Sequence, residues 1–363
     1  MNLFKSVASA LPFVAVSAFG FNLGDLAVVH VGDGTAALSA LNGVVAIEDY
    51  TTLGVLANTY ALPSTGPNAF IMTGNATAEG ALSRSLNGSL LTFSGYNVAA
   101  PAASSPAANT SANAPRAIGT INVSGSTAMP VVSTTAFSGN GFRSSVTDNA
   151  NNYWGIANGG GTFYFGNTAS AGTIAAAPAN NRVMNIVAGN LYFTTGSGTV
   201  GVYGYSGLPT AVTANSLILQ TAGTGTGTAS PYDFAFNAGM TLAYVADDRT
   251  TVNGGGIQRY DWNGTAWALT YTLNTGGTGG ARGLAVDFSG LSPVLYATTV
   301  EGNNNRLITI TDIGGASVET DLATAGVNRA FRGLEFAPVP EPSTFALLGF
   351  GVAGLLVSRR RKN

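Results

Sequence analysis

The chain has no cysteine, which excludes disulfides, thiolate metal sites and a cysteine nucleophile. Its one histidine, His30, excludes a histidine-based zinc site, and any serine triad would have to use that single imidazole. Lysine occurs only at Lys5 and Lys362, and charged residues make up 9% of the chain. Between the two ends, residues 19–338 hold ten arginines against sixteen carboxylates, an acidic balance that argues against a protein tracking nucleic-acid phosphates. No glycine-rich fingerprint follows a strand and opens a helix; Gly223 to Gly227 alternates Gly and Thr and reads as a flexible turn.

What is present begins with the two ends. Residues 1–18 carry one cation, Lys5, then an apolar stretch and the small-residue site Val16-Ser17-Ala18, the pattern of a secretory signal peptide; a buried first strand is the alternative. At the other end, Val339-Pro340-Glu341-Pro342 precedes an apolar run from Phe345 to Val357 and the cluster Arg359, Arg360, Arg361 and Lys362. Prolines and an acidic residue suit the first turn of a helix, so a helix is expected over residues 343–357. Its apolar part spans roughly 20 Å against about 30 Å of hydrocarbon. The basic cluster holds that end on the cytoplasmic side, so the rest of the chain faces outward.

Motif, apolar helix and basic end, in this order at the C-terminus, resemble the PEP-CTERM sorting signal of bacterial surface proteins. The resemblance implies recognition of residues 339–363 by an exosortase-type membrane enzyme, passage through the membrane and delivery to the cell surface. It covers only the tail, which is found on many unrelated domains, some ice-binding proteins among them, and implies no activity. An ordinary anchor that is never processed is the alternative.

Between the ends, short alternating apolar segments recur. Phe142 to Val146, Asn181 to Ile186, Pro231 to Phe236, Ala281 to Val286 and Phe331 to Phe336 share an opening, and positions 182, 232, 282 and 332 are evenly spaced. Second strands rich in aromatics follow at Asn152 to Ile156, Asn190 to Thr194, Leu242 to Ala246 and Val294 to Thr298, with third strands after them. A further unit starts near Glu79 and turns at Asn87-Gly88. This predicts an all-β ectodomain over residues 19–338, a β-propeller of six four-stranded blades. Phe331 to Phe336 would be the inner strand of a last blade completed by Leu26 to Val31, Val44 to Tyr50 and Val55 to Tyr60, so that both termini close the ring. A β-helix is the rival, but its shorter turn period is missing. Residues 99–115, rich in Ala, Ser and Pro, read as a loop insertion between two strands.

The repeat places Arg143, Arg182, Arg282 and Arg332 at equivalent openings, with Tyr232 at the fifth. They predict a ring at one end of a central channel, which could hold an acidic sugar or carboxylate by bidentate hydrogen bonds. The other reading is a repeated structural contact, each arginine pairing with the neighbouring blade. His30, in an alternating strand, reads as structural. Six-bladed propellers include calcium-dependent lactonases and phytase-like hydrolases. A likeness to them would call on Asp247, Asp248, Asp33 and Glu301, with asparagines completing an oxygen shell. The preferred expectation is a non-enzymatic structural or binding protein, without cofactor or metal, at the cell surface or in extracellular polysaccharide.

Overall fold

The computed structural model describes residues 20–166, 172–223 and 225–340. The signal peptide, Glu341, Pro342, the helix expected over 343–357 and the cluster Arg359 to Lys362 lie outside the described residues. Among the described residues no helix is long and apolar enough to cross a membrane.

The strands fall into sets of four. The chain opens with β1 (Leu26–Val31), β2 (Gly43–Tyr50) and β3 (Leu56–Ala61), followed by the two-residue β4 (Ile71–Met72). Next come β5 (Leu82–Arg84), β6 (Leu90–Tyr96), β7 (Arg116–Asn122) and β8 (Thr127–Ser133). A third set is β9 (Phe142–Thr147), β10 (Tyr153–Ala157), β11 (Thr162–Tyr164) and β12 (Gly172–Ala175). A fourth is β13 (Asn181–Val187), β14 (Asn190–Thr195), β15 (Gly201–Gly204) and β16 (Ser216–Gln220). The fifth, β17 (Pro231–Phe236), β18 (Leu242–Asp247), β19 (Gly256–Trp262) and β20 (Trp267–Leu273), precedes β21 (Ala281–Asp287), β22 (Val294–Thr299), β23 (Arg306–Thr311) and β24 (Glu319–Thr324). The last strand, β25 (Ala330–Phe336), returns to pair with β1 along Leu26↔Phe336 to Val31↔Ala330, so that β25, β1, β2 and β3 form one antiparallel set.

The first strands of the sets, β5, β9, β13, β17, β21 and β25, pack side by side, and β25 packs against β5, so the ring is closed. This is a β-propeller-like arrangement. The sequence reading had separate sheets throughout; instead β4 pairs with β2 and with β6, joining the first two sets into one nine-stranded sheet. The join needs Gly43, whose Cβ would lie 2.0 Å from the Met72 carbonyl oxygen. Outer strands bury little and mark themselves weakly: β3, which the stretch Val55 to Tyr60 did reveal, has only exposed and half-buried residues, and β24, which the repeat did not reveal, is nowhere buried. Residues 97–115 run between β6 and β7.

Neighbouring sets are tied by buried threonine hydroxyls. Thr92 Oγ1 donates to Ser145 O at 2.6 Å, Thr194 Oγ1 to Tyr232 O at 2.6 Å and Thr298 Oγ1 to Arg332 O at 2.5 Å. Thr194 and Thr298 also accept, from Val183 N and Gly283 N of their own sets. Gly283 makes this fit possible, since a Cβ there would meet Thr298 Oγ1 at 2.7 Å and Arg332 O at 2.8 Å.

Two outcomes follow. Thr298→Val keeps the shape but leaves a buried amide and a buried carbonyl without a partner, which should cost about 1–3 kcal/mol in denaturant unfolding. A chain ending at Asn328 loses β25, bares the edge of β1 and opens the ring; it should melt at a clearly lower temperature and aggregate, and an unchanged melting temperature would disprove closure.

Candidate functional site at the two mouths of the channel

Arg143, Arg182, Tyr232, Arg282 and Arg332 stand at the second or third position of β9, β13, β17, β21 and β25. At each of these places the pairing with the neighbouring strand slips by a bulge. Bulges re-aim side chains. Here they bring the arginines and Tyr232 to one end of the ring. The Arg182 and Arg282 guanidinium carbons lie 4.3 and 5.1 Å from the centre of the Tyr232 ring, cation–π geometry in both cases.

Each guanidinium is engaged across a set boundary. Arg143 Nη1 donates to Asn180 Oδ1 at 2.7 Å and to Asn181 O at 3.0 Å. Arg182 Nη1 donates to Ser230 Oγ at 2.6 Å and lies 3.9 Å from Asp248 Oδ1. Asp248 Oδ2 accepts from Arg282 Nη2 at 2.8 Å and Nε at 3.1 Å, and Arg332 Nη2 donates to Gly74 O at 3.0 Å. Burial, with Arg282 adding repulsion, lowers the Arg332 guanidinium to about 10, so it stays charged at neutral pH. Arg143 is shifted down for the same first reason, burial. The space among Glu79, Tyr232, Arg282 and Arg332 is only about 20 Å³, little more than one water needs.

The opposite mouth is wide. A cavity of about 470 Å³ is bounded by Arg84, Asn185, Glu335, Phe236, Phe288 and Val339, among others, and its size is that of small-ligand sites. Glu335 Oε1 accepts from Phe336 N at 2.7 Å. Deeper in, Asp233 accepts from Phe234 N at 2.9 Å, Leu284 N at 3.1 Å and Asn185 Nδ2 at 3.1 Å. Burial raises both carboxyls, Asp233 well above its usual range, with Glu335 adding to it by repulsion. Among the described residues, Asn185 Oδ1 and Arg84 Nε find no partner although both are buried. At the narrow end, burial likewise raises Glu79, although Thr73 N and the Tyr96 hydroxyl donate to it at 2.9 and 2.7 Å.

The remaining sequence candidates do not meet. His30 Nδ1 lies 2.7 Å from Glu48 Oε1, inside the closing set. Asp247 is fully buried; it binds Arg249 Nε and Nη2 at 2.9 Å and accepts from Ser230 N at 2.9 Å. Asp33 accepts from Thr35 in its own exposed turn, and Glu301 lies 3.3 Å from Arg306. Among the described residues no three of His, Asp and Glu gather as a metal ion would require. Sequence reasoning missed Glu79, Asp233 and Glu335. Each interrupts an apolar first strand or its lead-in, and an acidic residue inside such a run is the signal that could have found them.

The PEP-CTERM protein-sorting motif matches residues 338–362. The motif marks an exported protein sorted to the cell surface and implies processing by exosortase. No curated protein matches the chain. Among solved structures, a gluconolactonase from Xanthomonas campestris is 12% identical, with a TM-score of 0.44 over 68% of this chain and 76% of that one. The periplasmic gluconolactonase of Pseudomonas aeruginosa is 13% identical, with a TM-score of 0.43 over 82% of each chain. A Lactobacillus plantarum protein is 11% identical, with a TM-score of 0.46 over 84% of this chain and 99% of that one.

The buried carboxylates set a pH dependence. Asp49 is raised to about 6 by burial, and Glu79, Asp233 and Glu335 shift the same way. A carboxyl raised in the folded state binds its proton more readily there than in the unfolded chain, so it adds stability at low pH that is lost as pH climbs through its folded value. Asp33, Asp261, Asp287 and Asp312 are lowered and act oppositely, losing stability below about pH 4. The melting temperature should therefore peak near pH 5 and fall by a few degrees toward pH 7.5. Asp49→Asn should flatten part of that fall, and a curve that rises to pH 7.5 would contradict the assignment.

Proposed function

We propose that the chain is an exported six-bladed propeller, closed by both termini in one blade, that works as a structural or carbohydrate-binding protein at the cell surface rather than as a hydrolase. In this reading residues 1–18 are removed, and the helix over 343–357 holds the protein in the membrane until exosortase acts on the tail. The observation that carries the non-catalytic role is how the charged groups are used. Arg182 and Arg282 stack on Tyr232 and share Asp248, Asp247 is spent on Arg249, and His30 is held by Glu48. Groups so committed hold the ring together and offer no free base or nucleophile. The arginine ring, packed around a water-sized space, serves as a set of clamps between blades. The wide mouth, with a carboxylate, an amide and phenylalanines, is the place for an extracellular saccharide.

The purified chain should bind extracellular polysaccharide in co-sedimentation and leave lactones, esters and phosphate esters intact with or without calcium. Asp247→Ala should lower stability by about 1–3 kcal/mol, since it removes the buried carboxylate that Ser230 N and the half-buried Arg249 guanidinium share. Calcium-stimulated turnover that disappears in a folded Asp248→Ala protein would instead establish the calcium-dependent hydrolase.

A further inference from the structure

The last described residues do not hang free of the body. Ala337 N donates to Asp25 O at 2.8 Å, Arg84 Nη2 donates to Ala337 O at 2.7 Å, and Val339 N donates to Gly88 O at 2.9 Å. Val339 also forms part of the wall of the wide cavity. The sorting motif thus begins on the rim of that mouth with no spacer. Phe345, where the apolar run starts, is six residues further on, and six residues span at most roughly 20 Å when fully extended.

We propose that, while the tail is held in the membrane, the wide mouth of the channel and the turns around it lie against the lipid surface, with the arginine mouth turned away. The proposal rests on the reading of the tail as membrane-held before processing. The surface of this face agrees with it. Turns that follow the inner strands of two sets carry Leu86 and Leu291, and the turn leading into β1, in the set between them, carries Leu23; all three are exposed, Leu291 completely. Residues 85–89, 148–152, 188–190, 237–241 and 288–293 contain no lysine or arginine and a single carboxylate, Asp148. Little charge has to be stripped of water when this face meets headgroups. With no cation in these turns, and with Arg84 on the cavity wall already donating to Ala337 O, the face has little pull of its own toward anionic lipid, so the tether sets the orientation and the leucines tolerate it. The four ring arginines lie at the far end of the same channel.

The arrangement makes processing a change of access. In the tail-bearing chain the cavity opens onto lipid, where a polysaccharide cannot reach it; once the tail is cut, the same mouth faces solvent.

The absence of cysteine makes the test direct. Leu86→Cys reports on the wide-mouth face and Val252→Cys, in the turn after β18, on the opposite one. Each full-length variant is reconstituted in phosphatidylcholine vesicles with the body outside and labelled with a maleimide carrying a large polyethylene glycol. The expected result is labelling at position 86 several-fold slower than at position 252, and equal rates in chains ending at Pro340. Equal rates on vesicle-bound full-length protein overturn the orientation alone. Slow labelling at position 86 in the shortened chain also overturns it, because the protection would then belong to the fold. Failure of the full-length chain to stay on vesicles overturns the membrane reading and this proposal with it.

Discussion

The hydroxyls of Thr92, Thr194 and Thr298, each reaching from one set of strands to a backbone carbonyl of the next, are the contacts on which the ring depends. Within a set, backbone ladders satisfy the strands; between sets, apart from the short link through β4, the ladders stop, and side chains must do the joining. Apolar packing supplies much of that joining, as where Tyr244 and Ala246 of β18 share a core with Leu284 of β21. Packing alone is indifferent to small slides, whereas a buried hydroxyl bonded on both sides is not. The threonines therefore fix the register between sets. The arginines stacked on Tyr232 act at the rim, Arg182 at the boundary that Thr194 also spans and Arg282 at the next one, so hydroxyl ties inside and charged clamps outside enforce one geometry.

Much of the architecture was legible because first and second strands are buried on both faces and write strong apolar runs. Phe331 to Phe336 and Leu26 to Val31 announced themselves as partners separated by nearly the whole chain, and their ladder joins them. Outermost strands such as Glu319–Thr324 rest on one neighbour and keep few buried residues, so composition barely marks them. The link through β4 was invisible for another reason. Two residues carry it, and what makes it possible is the missing side chain of Gly43 rather than any residue that could be seen as a signal.

The site was legible in position but not in use. Even spacing of 182, 232, 282 and 332 brought the right residues to one mouth, because a repeat fixes where a side chain starts. It does not fix which partner the side chain finds. The bulges at these positions turn the guanidiniums toward Asp248, Asn180 and Gly74, and a bulge depends on pairing across strands that no single segment records. Asp233 and Glu335 show the converse. Their place inside apolar strands was visible, but only the closed ring sets them in one channel, close enough that Glu335 raises the Asp233 carboxyl.

The antiparallel pairing of β25 with β1 has a mechanical side. Any load carried by the tail enters the body through Val339 and runs straight up β25, in line with the strand. Pulled in that direction, β25 cannot be peeled from β1 one bond at a time; the ladder from Phe336 to Ala330 is loaded in shear, its bonds sharing the force. The strand that completes the ring is thus also the strand through which tension on the tail would enter the body.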